Sequence, residues 1–158
     1  MRKIIRSTDL DTDSTLRNRF AEGDFLDCYS VASNLPARQA AEIITAFPGW
    51  VRFLVALRGL MVAPFGLRAR GPSARDQIGE FPVEIETPDE VIAGFNDRHL
   101  DFRISVRSRD GEVSLATWVR RHNLGGRLYL ALILPFHVAI VRNALARVAA
   151  HSGAGQAA

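Results

Sequence analysis

The stretch that decides the fold is residues 99–122, which read HLDFRISVRSRDGEVSLATWVRRH. Its first half alternates apolar and polar residues, and its second half returns with the same period of two. Between the halves stands Asp110-Gly111, a dipeptide that favours a type I′ turn because both central positions of that turn need positive φ. The stretch therefore predicts a β-hairpin of two long strands, at residues 99–109 and 112–122.

The alternation assigns the side chains of this hairpin to two faces. Antiparallel sheets commonly bury one face and leave the other in water. We therefore expect a buried apolar face and a solvated polar face. The apolar face carries Leu100, Phe102, Ile104 and Val106 on the first strand, and Val113, Leu115, Thr117 and Val119 on the second.

Outward from the hairpin, period-two and helical patterns predict the remaining elements. Residues 67–79 are rich in Gly, Pro, Arg and Ser and predict a loop. Pro135 should kink the last helix, because it removes a backbone hydrogen bond. The predicted fold is α+β, an antiparallel sheet with two helices after the first strand and a long C-terminal helix packed on the sheet. The other predicted strands are 24–32, 81–87 and 90–95, and the helices are 36–47, 50–62 and 125–150.

Length and composition indicate the domain organisation and the expected cellular location of the protein. The chain has 158 residues, a formal net charge of +3 and one cysteine, Cys28, which predicts one domain without internal disulfides. We expect an N-terminal arm at 1–23 that is loosely held, a single α+β domain at 24–151, and a disordered tail at 152–158. The longest apolar run, 128–141, is shorter than a membrane span, so we interpret it as buried. A cytoplasmic location, no membrane span, no cofactor and no nucleic-acid partner are expected.

Five stretches of the sequence carry a resemblance to a known family. They are Asp97–Arg103, Arg121–Asn123 with Gly126–Tyr129, Pro135–His137, Trp50–Arg52 and Leu57–Arg58. Together with the order of elements, they resemble an uncharacterised bacterial family of domains of unknown function. Members occur alone or fused behind NAD-binding, short-chain-dehydrogenase-like domains. The family is identified as part of the START-like (SRPBCC) helix-grip superfamily, which includes the birch-pollen allergens.

The resemblance implies a hydrophobic ligand held between a curved sheet and the long helix, since that is the usual role in the superfamily. A minority of the superfamily are enzymes. Fold alone does not settle function, so the residues themselves have to be considered.

The first candidate site is a cluster on the polar face of the hairpin. If Arg109 faces Glu112 across the turn, the register of the whole hairpin follows. Residues that directly oppose each other in this register lie within about 5.5 Å. Two imidazoles and a carboxylate would then converge, as in a metal site. The simpler interpretation is a solvated ladder with an Asp–Arg pair and an Arg–Trp contact, and no metal. The cluster consists of His99, Asp101, Arg103, Trp118, Arg120 and His122.

The second candidate site lies near the strand end that leads into the last helix. Thr117 and Arg121 are polar exceptions on the apolar face, and His137 follows on the helix. These three side chains would fix the polar head of a ligand in an apolar pocket. The alternative is that they only complete local hydrogen bonds.

Three function classes remain open at this point. The leading hypothesis is the binding of a small hydrophobic or amphipathic molecule between the sheet and the C-terminal helix. The second is an enzyme of the same fold that uses His, Asp and Arg for acid–base chemistry. The third is a protein–protein interaction module. The chain has no Gly-x-Ser-x-Gly motif and no P-loop, and its sequence leaves the ligand and the oligomeric state open.

Overall fold

The computed structural model describes residues 4–62, 64 and 74–154. The predicted α+β architecture is confirmed: an open antiparallel sheet is covered by two short helices and a long C-terminal helix. A 3-10 helix, Thr15–Arg19, precedes the second strand. The elements are β1 (Arg6–Ser7), β2 (Phe25–Ala32), α1 (Ala37–Thr45), α2 (Gly49–Val62), β3 (Gln77–Ile78), β4 (Phe81–Glu86), β5 (Glu90–Asn96), β6 (Leu100–Arg109), β7 (Glu112–Arg121) and α3 (Leu124–Ala154).

The seven strands follow the order β1-β2-β7-β6-β5-β4-β3, so the first long strand pairs with the last. The predicted hairpin is confirmed with its register, since Arg109 opposes Glu112 and Arg103 opposes Trp118. Asp110 and Gly111 have φ of 53° and 79°, as a type I′ turn requires. The turn chemistry therefore fixes which residues of β6 and β7 share a face.

Helices α1 and α3 pack on one face of the sheet, here called the inner face. Its fully buried part lies beneath α1 and the C-terminal half of α3, where Val106, Leu115, Leu145 and Val148 belong to the main core. Arg147 of α3 donates to the backbone oxygen of Ile43 at 2.7 Å, which satisfies a carbonyl group at the end of α1. Core packing and this contact hold α3 against α1.

Helix α3 begins against the sheet because of one glycine. A Cβ atom at Gly126 would overlap the backbone oxygen of His99, so this close approach requires glycine. The side chain of Asn123 accepts a hydrogen bond from the backbone N–H of Gly126 at 3.0 Å, which caps the first turn. The helix continues through Pro135 to Ala154.

The opposite, outer face of the sheet is not solvated, and this prediction is wrong. Arg103 and Arg107 are buried, and Trp118 is almost completely so. The covering segment is residues 4–24, where Leu16 is fully buried against the face and the backbone N–H of Thr8 donates to the oxygen of Cys28 at 3.0 Å. The expectation of a loosely held arm is therefore wrong for the described residues of 1–23. Single buried leucines and hydroxyl groups, without periodicity, carry this packing.

Two further expectations meet the limits of the described residues. Ser152–Ala154, predicted as tail, belong to α3, and 155–158 lie outside the described residues. Of the predicted loop 67–79, residues 67–73 also lie outside them, whereas Gln77–Ile78 form β3.

The apolar run of 128–141 is not buried as expected, because Leu128, Leu132 and Phe136 are exposed. By length and composition, α3 is the single described helix that passes as a membrane span, and the bent pair of α1 and α2 passes only when counted together. Leu145 and Val148 are completely buried in the main core. The C-terminal half of α3 is thus a core helix of the domain.

Candidate functional site

The outer-face cluster is assembled by the register, but its partners differ from those expected. Asp101 pairs with the Nε2 atom of His122 at 3.0 Å, and the ring of His99 contacts the side chain of Asn123. Arg120 lies 5.1 Å above the centre of the Trp118 ring. The two histidines therefore have separate partners and do not converge on one point.

Asp24, a residue the sequence analysis did not single out, organises the end of this cluster. Its Oδ2 atom accepts from Trp118 Nε1 and from Arg120 Nη2, both at 2.9 Å. Burial acts to raise the pKa of Asp24, but the hydrogen bonds from Arg120, from the backbone of Ala21 and from Trp118 outweigh it and hold the pKa below its ordinary value. Arg120 is thus paired with the covering segment, not with Asp101.

Glu90 at the start of β5 is the second residue that was missed. Although only 4% exposed, its carboxylate accepts four hydrogen bonds: from Ser14 Oγ at 2.5 Å, from Thr15 N at 3.0 Å and Oγ1 at 2.6 Å, and from Ser105 Oγ at 2.6 Å. Burial acts to raise its pKa, and these hydrogen bonds outweigh burial, so the pKa is lowered. A buried carboxylate with this many donors is satisfied, and it fastens the N-terminal segment to the sheet.

The outer face offers little chemistry beyond structure. Among the described residues, no group of three or more His, Cys, Asp or Glu side chains is placed to hold a metal ion. Burial raises the pKa of the Cys28 thiol to about 12, which leaves it protonated and unreactive. A polar cleft of about 80 Å³ is lined by both charge signs, including Asp9, Asp11, Arg107 and Arg109.

The inner face carries a polar site that joins α3 to the sheet. His137 of α3 contacts Oδ2 of Asp27 through Nε2 at 2.9 Å, and both side chains are less than one-fifth exposed. Asp27 opposes Thr117 directly in the register of β2 and β7. Two of the three predicted ligand-binding residues, Thr117 and His137, are therefore brought together, and the link between them is Asp27.

Two oxygen atoms of this site lack hydrogen-bond partners within the described parts of the chain. They are Oδ1 of Asp27 and Oγ1 of Thr117, and both are buried. A buried polar atom without a partner costs on the order of 1–3 kcal/mol. Thr117 is 7% exposed, so its hydroxyl group cannot turn to bulk water. The described protein groups therefore leave the hydrogen-bonding capacity of both atoms unused.

The third predicted residue, Arg121, does not join this site. It stands four residues beyond Thr117, about 13 Å along the strand at 3.3 Å per residue. Its guanidinium group donates to the backbone oxygen of Gly23, at the rim of the sheet. Arg121 lies on the same face as Thr117, but its side chain makes its contact at the end of the strand.

Aromatic side chains surround the polar site and extend away from it. The ring of Phe25 meets that of His137 edge-on at 6.1 Å, and Phe25, Val119 and Phe102 are consecutive neighbours across three strands. Phe102 contacts Phe81 at 5.4 Å, and Phe81 contacts Phe47 at 6.3 Å. These contacts make a continuous apolar floor from His137 to the end of α1.

This floor ends at a cleft of about 490 Å³ along α2. The cleft is open to solvent and largely apolar, with one basic and one acidic residue at its sides. Thr117, Arg121 and His137 do not line it. Its lining consists of Phe47, Gly49, Arg52, Phe53, Val55, Ala56, Gly59 and Glu80.

Comparison with known proteins identifies the family. A family model described as "Protein of unknown function (DUF2867)" matches residues 19–144, which include all three helices in whole or in part and six of the seven strands. No curated protein and no solved structure matches the chain. The match covers most of the 158 residues, and the chain therefore belongs to the DUF2867 family of proteins of unknown function.

Proposed function

We propose that this protein binds a small amphipathic molecule between the inner face of the sheet and α3, with its polar head at Asp27, Thr117 and His137. The observation that carries the proposal is the pair of buried oxygen atoms, Asp27 Oδ1 and Thr117 Oγ1, that have no described partner. Native proteins satisfy nearly all buried polar groups, and exceptions often mark a binding or catalytic role. A ligand head group would satisfy both atoms.

The chemistry of these atoms selects the kind of head group. An ionised carboxylate only accepts hydrogen bonds, whereas a threonine hydroxyl both donates and accepts. The ligand must therefore present a donor to Asp27, such as a hydroxyl or an amine. An ionised carboxylate or phosphate head offers Asp27 no such donor.

The apolar floor supports the second half of the proposal. A hydrophobic tail would lie along Phe25, Phe102 and Phe81 towards the cleft at α2, where aromatic rings offer a large contact area. The order of strand, two helices, meander and long helix is also that of the helix-grip fold that the sequence resembles. In that superfamily the ligand lies between sheet and helix, and this is support by analogy.

Native mass spectrometry of the purified protein, followed by denaturing extraction, tests for a retained molecule. A second test measures the fluorescence of N-phenyl-1-naphthylamine, an apolar probe with one N–H donor. We expect wild-type protein to bind the probe and T117V or D27A to bind it about tenfold more weakly. D27A removes the carboxylate that accepts from the probe N–H, and T117V removes the hydroxyl group beside it. R121A is the matched control and should bind normally. Equal binding by all four proteins would refute this site.

Head-group selectivity is tested by competition. We expect 1-dodecanol and dodecylamine to displace the probe at lower concentration than dodecanoate, because only the first two present a donor to Asp27. If dodecanoate competes best, the pocket exists but the deduced head group is wrong. If none competes, the proposed binding function fails.

An enzyme with acid–base chemistry is the second candidate, favoured by one observation. Asp27 lies 2.9 Å from His137, and a carboxylate in this position orients an imidazole ring for proton transfer. The two functions differ in what the protein retains. An enzyme would yield product from wild-type protein and unreacted substrate from H137Q, whereas a binder would yield the same molecule from both.

A further inference from the structure

Helices α2 and α3 display large apolar side chains to solvent. Eight such residues, each 43–79% exposed, lie on these two helices. Soluble domains rarely leave apolar side chains of this size clustered without a function. We call them the apolar helix surface, which consists of Trp50, Phe53, Leu57 and Leu60 on α2 and Leu124, Leu128, Leu132 and Phe136 on α3.

The spacing of these residues gathers each set on one side of its helix. At 100° per residue, the four residues of α2 fall within about 80°, and the four residues of α3, each four positions apart, fall within about 120°. The large apolar side chains that α3 exposes all precede Val141, where the helix enters the main core. Each helix thus presents a stripe, and not scattered surface leucines.

The charge of the two helices has one sign. Neither Gly49–Val62 nor Leu124–Ala154 contains an aspartate or a glutamate. Their charged side chains are arginines, of which Arg52 and Arg127 are exposed beside the stripes, on the same two helices. Helices that combine exposed Trp, Phe and Leu with arginine, and that carry no acidic residue of their own, are complementary to an anionic lipid bilayer.

We propose that the apolar helix surface docks this protein reversibly on anionic membranes, with the side chains of both stripes inserted at the level of the lipid head groups. Trp50 is of the residue type that prefers this interface. A second copy of the chain fits the surface less well, because it would bring two sets of helices together that both carry arginine and no carboxylate. This proposal goes beyond the binding of a small molecule and does not depend on it.

The docking is peripheral and leaves the fold intact. Leu145 and Val148 of α3 are completely buried in the core beneath α1. Passage of α3 through a bilayer would remove these side chains from the core and expose the sheet. Only the N-terminal half of α3 is free to contact lipid.

Vesicle flotation tests the proposal with the full chain. We expect binding to vesicles of equal parts phosphatidylcholine and phosphatidylglycerol, weaker binding to phosphatidylcholine alone, and a decrease with added salt. L132E and F53E should each weaken binding at least about tenfold, since each replaces an inserted apolar side chain by a charge. R127Q should weaken binding to the anionic vesicles about fivefold.

The matched control is Q39E, which adds the same charge at an exposed position on α1 and should bind like wild type. Circular dichroism and thermal unfolding verify that the variants fold, which is expected because the substituted residues are exposed. Absence of binding to either vesicle, or equal binding by L132E, F53E and wild type, would overturn the proposal. So would a dimer in light scattering that L132E dissociates while vesicles bind no protein, because the surface would then serve self-association.

Discussion

The two faces of the sheet differ in how completely their buried carboxylates are hydrogen-bonded. On the outer face, Glu90 accepts four hydrogen bonds, and the segment that covers it supplies three of them. On the inner face, Asp27 has one partner, His137, and its other oxygen has none among the described residues. Burial of charge is thus compatible with stability where donors are complete. Where donors are missing, as at Asp27, the same burial supports the ligand site that we propose.

The outer face also contains buried polar atoms that lack a hydrogen-bond partner in the described structure. The Nε and Nη1 atoms of Arg107 are buried without a hydrogen bond in the described structure. However, Nη1 lies 3.4 Å from Asp11 and Nη2 lies 3.8 Å from Asp13, so the charge is compensated. Charge compensation distinguishes Arg107 from Thr117, which is neutral and has no such partner.

Among the substitutions that test this difference between the two faces, removal of Glu90 should have the largest effect on stability. E90A should lower the free energy of unfolding by about 3–4 kcal/mol, because Ser14, Thr15 and Ser105 are left as buried donors without an acceptor. Urea denaturation measures the loss. The control E22A removes an exposed carboxylate and should change stability by less than about 0.5 kcal/mol. A loss below about 1 kcal/mol for E90A would show that the segment is not fastened there.

Removal of Asp24 should have the next largest effect. D24A takes away the acceptor of Trp118 Nε1 and of the Arg120 guanidinium group, at a cost of about 2 kcal/mol. Urea denaturation and the fluorescence of Trp118 report it, since the indole would lose its partner. Unchanged fluorescence together with unchanged stability would contradict the arrangement.

The outer face also predicts acid sensitivity. The pKa values of Glu90 and Asp24 are lowered in the folded protein. A lowered folded pKa contributes stability above the unfolded value, which is 4.5 for Glu and 3.8 for Asp, and the contribution is lost as pH falls through the folded pKa. Unfolding measured from pH 7 to pH 3 should show this decrease. In E90Q the decrease should be smaller, and an identical pH profile would contradict the assignment.

On the inner face, we expect removal of a polar group to leave the free energy of unfolding unchanged or to raise it. T117V removes a hydroxyl group without a described partner and keeps the side-chain shape, so stability should stay constant or rise by up to about 1 kcal/mol. The same variant should bind N-phenyl-1-naphthylamine more weakly. A clear loss of stability in T117V would show that the hydroxyl group is satisfied in solution, and the contrast between the faces would disappear.

The smallest effect is expected at the rim of the inner face. R121A removes a contact with the backbone oxygen of Gly23 at a partly exposed position, where such contacts contribute less than about 1 kcal/mol. Both stability and probe binding should remain close to wild type. A loss of probe binding in R121A would return Arg121 to the binding site predicted from the sequence.

Local pattern was sufficient for the five longer strands and the three α-helices of this protein, and for the pairing of β6 with β7. The alternation of residues 99–122 and the Asp110-Gly111 turn determine two strands and their register, because both depend only on neighbouring residues. That register also placed the six polar residues of the outer-face cluster on one side. Thr117 and His137 were identified from their polarity on apolar faces. Asp27 carries the same signal, because it alternates in phase with Phe25, Tyr29 and Val31, but it was not singled out.

What the sequence by itself determined is therefore the α+β order, the five longer strands, the three α-helices and the sides of the hairpin. Only the tertiary structure decided which polar groups are buried and with whom they pair. Glu90 meets Ser14 across 76 positions and Asp27 meets His137 across 110, distances at which no local periodicity operates. The same holds for the exposed stripes of α2 and α3, since an apolar pattern specifies a face but not the neighbour that covers it.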